Sequence, residues 1–118
     1  MAGTVTLTKT GIGSIQKWSL GWTSDGSGDA TVNFIANGKL RRAVFNPGTP
    51  APTDNYDVVI NDDEGFDILT GQGANRDTAT SEVAASGSLL PYLVGQHSLA
   101  VSNAGSAKAG EIILYLEP

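Results

Sequence analysis

No cysteine occurs in the 118 residues, which excludes disulfides, thiolate metal sites and cysteine nucleophiles together and suits either redox compartment. Histidine and methionine occur once each. Charged residues make up 16% of the chain, well below the usual quarter, and the seven Lys and Arg are outnumbered by 12 Asp and Glu, for a net charge of −5. Lys39, Arg41 and Arg42 are the one close basic group, too small for the phosphate-neutralising stripe of a nucleic-acid binder. The same shortage disfavours an anionic membrane surface, and no apolar run approaches the length of a helical span. Met1 to Thr10 alternates Val and Leu with Thr, lacks a basic region and a continuous apolar core, and does not read as a secretory signal.

What is abundant is turn-forming and β-compatible. Gly, Ser, Thr, Asn and Asp account for 51 of the 118 residues, a composition that suits many short strands joined by tight turns and argues against a helical bundle. The 15 glycines and five prolines follow no period, so collagen-like and repeat architectures are excluded. The length fits one domain, residues 1–118.

Alternation places the strands. Thr4 to Thr8 sets Val5 and Leu7 on one face, and Ile15 to Trp22 does the same for Trp18, Leu20 and Trp22. Residues 23–29 hold no large apolar side chain and read as a loop. Ala30 to Ala36 and Lys39 to Phe45 flank Asn37-Gly38, a pair that favours a type I′ hairpin turn. Three prolines between positions 47 and 52 make a loop. Tyr56 to Ile60 and Phe66 to Thr70 read as a second hairpin around Asn61 to Gly65, with Gly65 left-handed. Gly71 to Ser88 is irregular, and its Asp77 to Ala85 portion is a surface crossover in preference to a short helix. Leu89 to Val94 carries Pro91 and belongs at a sheet edge or strand start. His97 to Ser102 is a strand with Leu99 and Val101 inward. Glu111 to Leu116 is apolar on both faces and central in its sheet. The fold class is all-β: a β-sandwich or small barrel of eight or nine short antiparallel strands.

Few residues offer chemistry. Asp54, Asp57, Asp62, Asp63, Glu64 and Asp67 form the densest acidic cluster. Hard cations want several such oxygens, but the spacing lacks the helix-loop-helix calcium pattern, and turn preference explains the same residues. Paired carboxylates able to flank a sugar have no aromatic platform beside them in sequence. His97 adjoins Ser98, yet no nucleophile-elbow motif positions a serine, and His97 reads as a surface residue. Gly71 to Arg76 lacks the third glycine and the Gly-Lys-Ser/Thr of phosphate loops. Trp18, Trp22, Phe34, Phe45, Tyr56 and Phe66 read mostly as core aromatics, with a minority available for a sugar-stacking platform. No catalytic, cofactor-binding or metal residue is assigned, and no cofactor.

The stretch Phe45 to Ile60, with its Asn-Pro-Gly-Thr-Pro-Ala-Pro-Thr-Asp-Asn-Tyr-Asp core, continues through Asp63 to Leu69 and Gly71 to Arg76. Together with Val101 to Gly105 and Gly110 to Tyr115, it resembles small virion structural proteins of tailed bacteriophages. The resemblance covers most of the chain after Gly13 and rests on turn and strand sequences. It implies a non-enzymatic protein that decorates or cements the capsid. Such a protein is a homo-oligomer bound to the major capsid protein, made in the bacterial host cytoplasm and located in the virion. Proteins of similar appearance also sit at the head–tail junction or in the tail. A carbohydrate-binding module using exposed aromatics is the alternative from another class, and a small hydrolase is a third. Exposed tryptophan on a concave face favours the carbohydrate module. Buried tryptophan in a packed oligomer favours the virion protein.

Overall fold

In the computed structural model, which describes residues 3–85, 89 and 92–117, nine strands run in the order β1 (Thr4–Ile12), β2 (Ile15–Thr23), β3 (Ala30–Ile35), β4 (Gly38–Pro47), β5 (Asp57–Asn61), β6 (Glu82–Ala85), β7 (Tyr92–Leu93), β8 (Gln96–Ser102) and β9 (Ala109–Glu117). They form two antiparallel sheets. One has the order β1-β2-β9-β4-β6, with β7 also on β4, and the other has β3-β8-β5. This is the all-β sandwich that the alternation predicts.

The core lies between the sheets. Trp18, Leu20 and Trp22 of β2, Ile112, Leu114 and Leu116 of β9, and Leu40, Ala43 and Phe45 of β4 point in from one side. Phe34 of β3, Leu99 and Val101 of β8, and Val58 and Ile60 of β5 meet them from the other. Phe34 packs edge-on against Trp18 at 6.3 Å between centroids, and Tyr56 packs against Trp22 at 5.6 Å. As its two-faced apolar sequence requires, β9 is central, paired with β2 and with β4.

Local chemistry explains several details. Ile12 faces Ile15 across a two-residue turn with a left-handed Gly13 (φ 61°), and Gly at the first central position suits a type II′ turn. In β4 the pairing slips between Leu40 and Arg42. This bulge lets Leu40 and Ala43 both point inward while Arg41 and Arg42 are both exposed.

Three sequence expectations are corrected. Asn37-Gly38 is no hairpin turn: β3 pairs with β8 and β4 with β9, β6 and β7, so the pair is a crossover between sheets. Gly38 has positive φ (131°), while the Asn37 carboxamide oxygen accepts from the Gly95 N–H at 3.0 Å. Each flanking run buries its apolar face from an opposite side of the core, and that burial outweighs a local turn preference. Phe66 to Thr70 forms no strand. Only Asn61 and Asp67 bridge, around a left-handed Gly65 (φ 87°) as expected, and the chain then bends to send Ile68 and Leu69 into the core. The Asp77 to Ala85 crossover ends in β6, on the edge of β4. The rest of the Gly71 to Ser88 reading, residues 86–88, and Leu90 and Pro91 of the following one lie outside the described residues.

Candidate interaction surfaces

The acidic residues are occupied by the backbone. Asp62 Oδ1 accepts from the N–H groups of Glu64 and Phe66, closing the 62–66 turn. Asp67 accepts from Ile60, Leu69 and Gly71, and Asp57 from the Asn75 N–H and the Asn103 side chain. Asp25 and Asp77 do likewise in their own turns, and those backbone donors hold both carboxyls below the usual aspartate range. Asp54 accepts from Thr78 at 3.3 Å. Asp54, Asp57, Asp62 and Asp67 of the cluster are turn caps. Gly71 to Arg76 is likewise structural, since the Gly73 carbonyl accepts from Val58 N–H at 2.8 Å and Arg76 bridges Tyr56.

His97 is not at the surface: it is 1% exposed. Its ring stacks on Phe34 at 5.6 Å, opposite it in the β3–β8 ladder. Nδ1 lies 2.9 Å from the Gly95 carbonyl, an acceptor only, so Nδ1 carries the hydrogen. Ser98, the next residue along β8, is exposed and projects to the other face, so the two do not form a nucleophile–base pair. Tyr56 is also buried. Burial first and Glu82 second push its hydroxyl up to about 12, against the opposing Arg76, so it remains a neutral phenol at physiological pH. Arg76 reaches Glu82 at 3.5 Å and lies over the Phe45 ring at 4.7 Å.

On the outer face of the larger sheet, Glu111 laces three strands. It accepts from the Ser19 hydroxyl of β2 and from Asn46 Nδ2 of β4 at 3.0 Å. The Ser19 bond, then that of Asn46 and the charge of Lys17, hold its carboxyl below the usual glutamate range against partial burial. A depressed carboxyl stabilises the fold above its unfolded pKa, and that stabilisation is lost as pH falls through the folded value. Glu111→Gln should therefore cost under about 1 kcal/mol at neutral pH, given the solvated setting, and less at acid pH, below the folded value. Urea titrations at both pH values test this, and an equal deficit at each would reject it.

The apolar surface is uneven. Both tryptophans are buried, at 5% and 2% exposure, whereas Ile35, Phe66, Val83, Tyr92 and Val94 stand out at 57–70%. Four of these five share one end of the molecule. Ile35 faces Gln96 at the end of β3, Val94 and Tyr92 lead into Gly95 and β8, and the turn that carries Phe66 places Asp63 beside Gly95. Asp62, Asp63 and Glu64 rim this end on one side, and Lys39, 6.0 Å from the Tyr92 ring, on the other. Phe66 was expected in the core. Its position directly after Gly65, at a turn tip between caps Asp62 and Asp67, is the sequence signal that it would be exposed.

No protein-family model and no curated protein matches the chain. Solved structures similar to it include a cupin domain from Bordetella pertussis Tohama I (11% identity, TM-score 0.46, covering 100% of this chain and 98% of that one). Another is a family 29 carbohydrate-binding module from Piromyces equi (11%, TM-score 0.47, covering 98% and 92%). A third is the enzymatically active domain of tailspike protein 4 of bacteriophage CBA120 (13%, TM-score 0.38, covering 98% and 19%). Likenesses of this degree assign no function.

Proposed function

We propose that the chain is a non-enzymatic structural protein of a tailed-bacteriophage virion, one that binds and stabilises the head by decorating the capsid. The observation that carries this reading is the exposure of four large apolar side chains, Ile35, Phe66, Tyr92 and Val94, toward one end of the molecule. Large apolar side chains left exposed beside charged ones favour protein docking. Two of the four are aliphatic, and both tryptophans are spent in the core, so Phe66 and Tyr92 are the strongly exposed aromatics among the described residues for a sugar to stack on. The residues on which the resemblance rests lie in turns and strands that build this fold, among them the capped 62–66 turn. Decoration repeats modest contacts over a lattice, so individually weak sites suffice.

The test is co-sedimentation with purified phage heads lacking the protein, using the parent chain and an Ile35→Asp/Val94→Asp variant whose far-UV circular dichroism matches it. The variant is expected to bind about 10- to 100-fold more weakly, as removal of central apolar contacts does, and heads loaded with the parent should break at a higher temperature. A parent chain that neither sediments with heads nor protects them, yet is retained on immobilised polysaccharide, would place carbohydrate binding first. Retention on purified tails instead would move the protein to the tail.

A further inference from the structure

Among the described residues, β1 is the longest strand with an open side. The other edges are shorter or covered: β3 has six residues, β6 four and β7 two, and β5 is lined by the returning chain through Ile68 N–H to Ile60 O and Val58 N–H to Gly73 O, both 2.8 Å. β1 has neither a proline nor a bulge, and of the usual protections of an edge it carries one, Lys9 on the face of Val5 and Leu7. Its register with β2 is unbroken from Thr4↔Thr23 to Ile12↔Ile15. Its one charge, Lys9, is turned back onto its own sheet, with Nζ 4.2 Å from the Trp18 ring centroid.

The turn fixes which backbone groups are free. Ile12 and Ile15 flank a two-residue turn and so form a hydrogen-bonded pair. Alternation then commits Thr4, Thr6, Thr8 and Thr10 to β2, and turns the N–H and C=O groups of Val5, Leu7, Lys9 and Gly11 outward.

We propose that this edge binds a second copy of the same chain, β1 against β1, antiparallel about a two-fold axis at Leu7, so that the larger sheets of two copies become one. In that register Leu7 faces Leu7, Val5 faces Lys9 and Thr6 faces Thr8. Every outward backbone group from Val5 to Lys9 gains a partner, and the threonines meet threonines across the strands. Charge selects the copy. A chain of net charge −5 repels itself wherever acids meet, and the first of its 12 acidic residues is Asp25, so the β1–β2 hairpin is an acid-free margin on an acidic protein. The two Lys9 residues sit about 14 Å apart along the strands, beyond the screening length of about 8 Å at physiological salt. This inference rests on the sheet edge alone and is independent of the virion reading.

Light scattering after size exclusion should give twice the 12.2 kDa chain mass for the parent and the single-chain mass for Lys9→Pro. Proline at an outward N–H position of an edge strand leaves the β1–β2 ladder intact, and an unchanged far-UV spectrum checks this. A monomeric parent, or a folded Lys9→Pro variant that stays dimeric, would overturn the proposal. The absence of cysteine permits a second test that does not depend on the proline variant. Thr6→Cys and Thr8→Cys chains, mixed and oxidised, should cross-link to each other. Thr6→Cys alone should not, because its two copies are diagonal, about 7–8 Å apart. No cross-link in the mixture, or equal cross-linking by Thr6→Cys alone, would overturn the register and the proposal with it.

Discussion

A chain ending at Gly110 is expected not to fold. The missing segment is the centre of the larger sheet: β9 pairs with β2 from Gln16 to Thr23 and with β4 from Lys39 to Pro47. Its loss leaves β1–β2 as a hairpin with no partner strand in its sheet, detached from β4 and its edge strands, and a two-stranded hairpin is marginal at best in water. The core loses as much. Ile112, Leu114 and Leu116 are at most 1% exposed and Ile113 only 7%. At about 1.5–3 kcal/mol for each buried aliphatic side chain, these four alone rival the whole stability of about 5–15 kcal/mol typical of a domain. The pairings they hold add to the loss. Far-UV circular dichroism and a urea titration of the purified truncation check this. A soluble product with strand signal and a single cooperative transition would show that β9 is dispensable.

The same strand shows what made the fold legible. Ile112-Ile113-Leu114 has no polar face, and a strand with none must be covered on both sides, which in a sandwich means a central position. Trp18, Leu20 and Trp22, and likewise Leu99 and Val101, alternate with polar neighbours, and period two assigned their faces correctly. Pairing was less legible than facing, because it depends on which distant strand arrives. Asn37-Gly38 satisfies the local rule for a hairpin, yet its two flanks belong to different sheets. Arg41-Arg42 breaks the alternation of β4, and only the slipped register with β9 shows that a bulge restores it. For the surface, the acidic cluster was readable as turn chemistry, although the donors that Asp57 captures come from remote segments. His97 was readable from the same period, since it shares the inward face of Leu99 and Val101, and only its polar ring argued for the surface. Its stacking on Phe34 is what depends on the β3–β8 register. The apolar end was illegible for the same reason, since it is assembled from a turn tip, a strand end and an edge strand far apart in sequence.

Replacing Gly110 should be among the most damaging single changes, and the damage should depend on Trp22. Gly110 faces Trp22 directly across the β2–β9 ladder, and the glycine is buried beneath the indole. A β-carbon at this position would crowd Cζ2 and stand 2.7 Å from Cε2 and 3.0 Å from Nε1 of Trp22, closer than real β-carbons approach other atoms. The ring has little room to yield, being 2% exposed and packed against Tyr56 at 5.6 Å, in an interior as dense as a molecular crystal. Gly110→Ala should cost about 1–3 kcal/mol by overpacking, and Gly110→Val more. Trp22→Leu shrinks the side chain and leaves a void, at a cost of several kcal/mol by analogy with other large-to-small core changes. The added methyl of Gly110→Ala then occupies space the indole has vacated, so the double variant should be more stable than the sum of the two losses predicts. Contacting residues couple by about 0.5–3 kcal/mol, and here the sign is compensating. Urea titrations of the four proteins measure the coupling. If the two losses simply add, the indole is not what requires glycine at position 110.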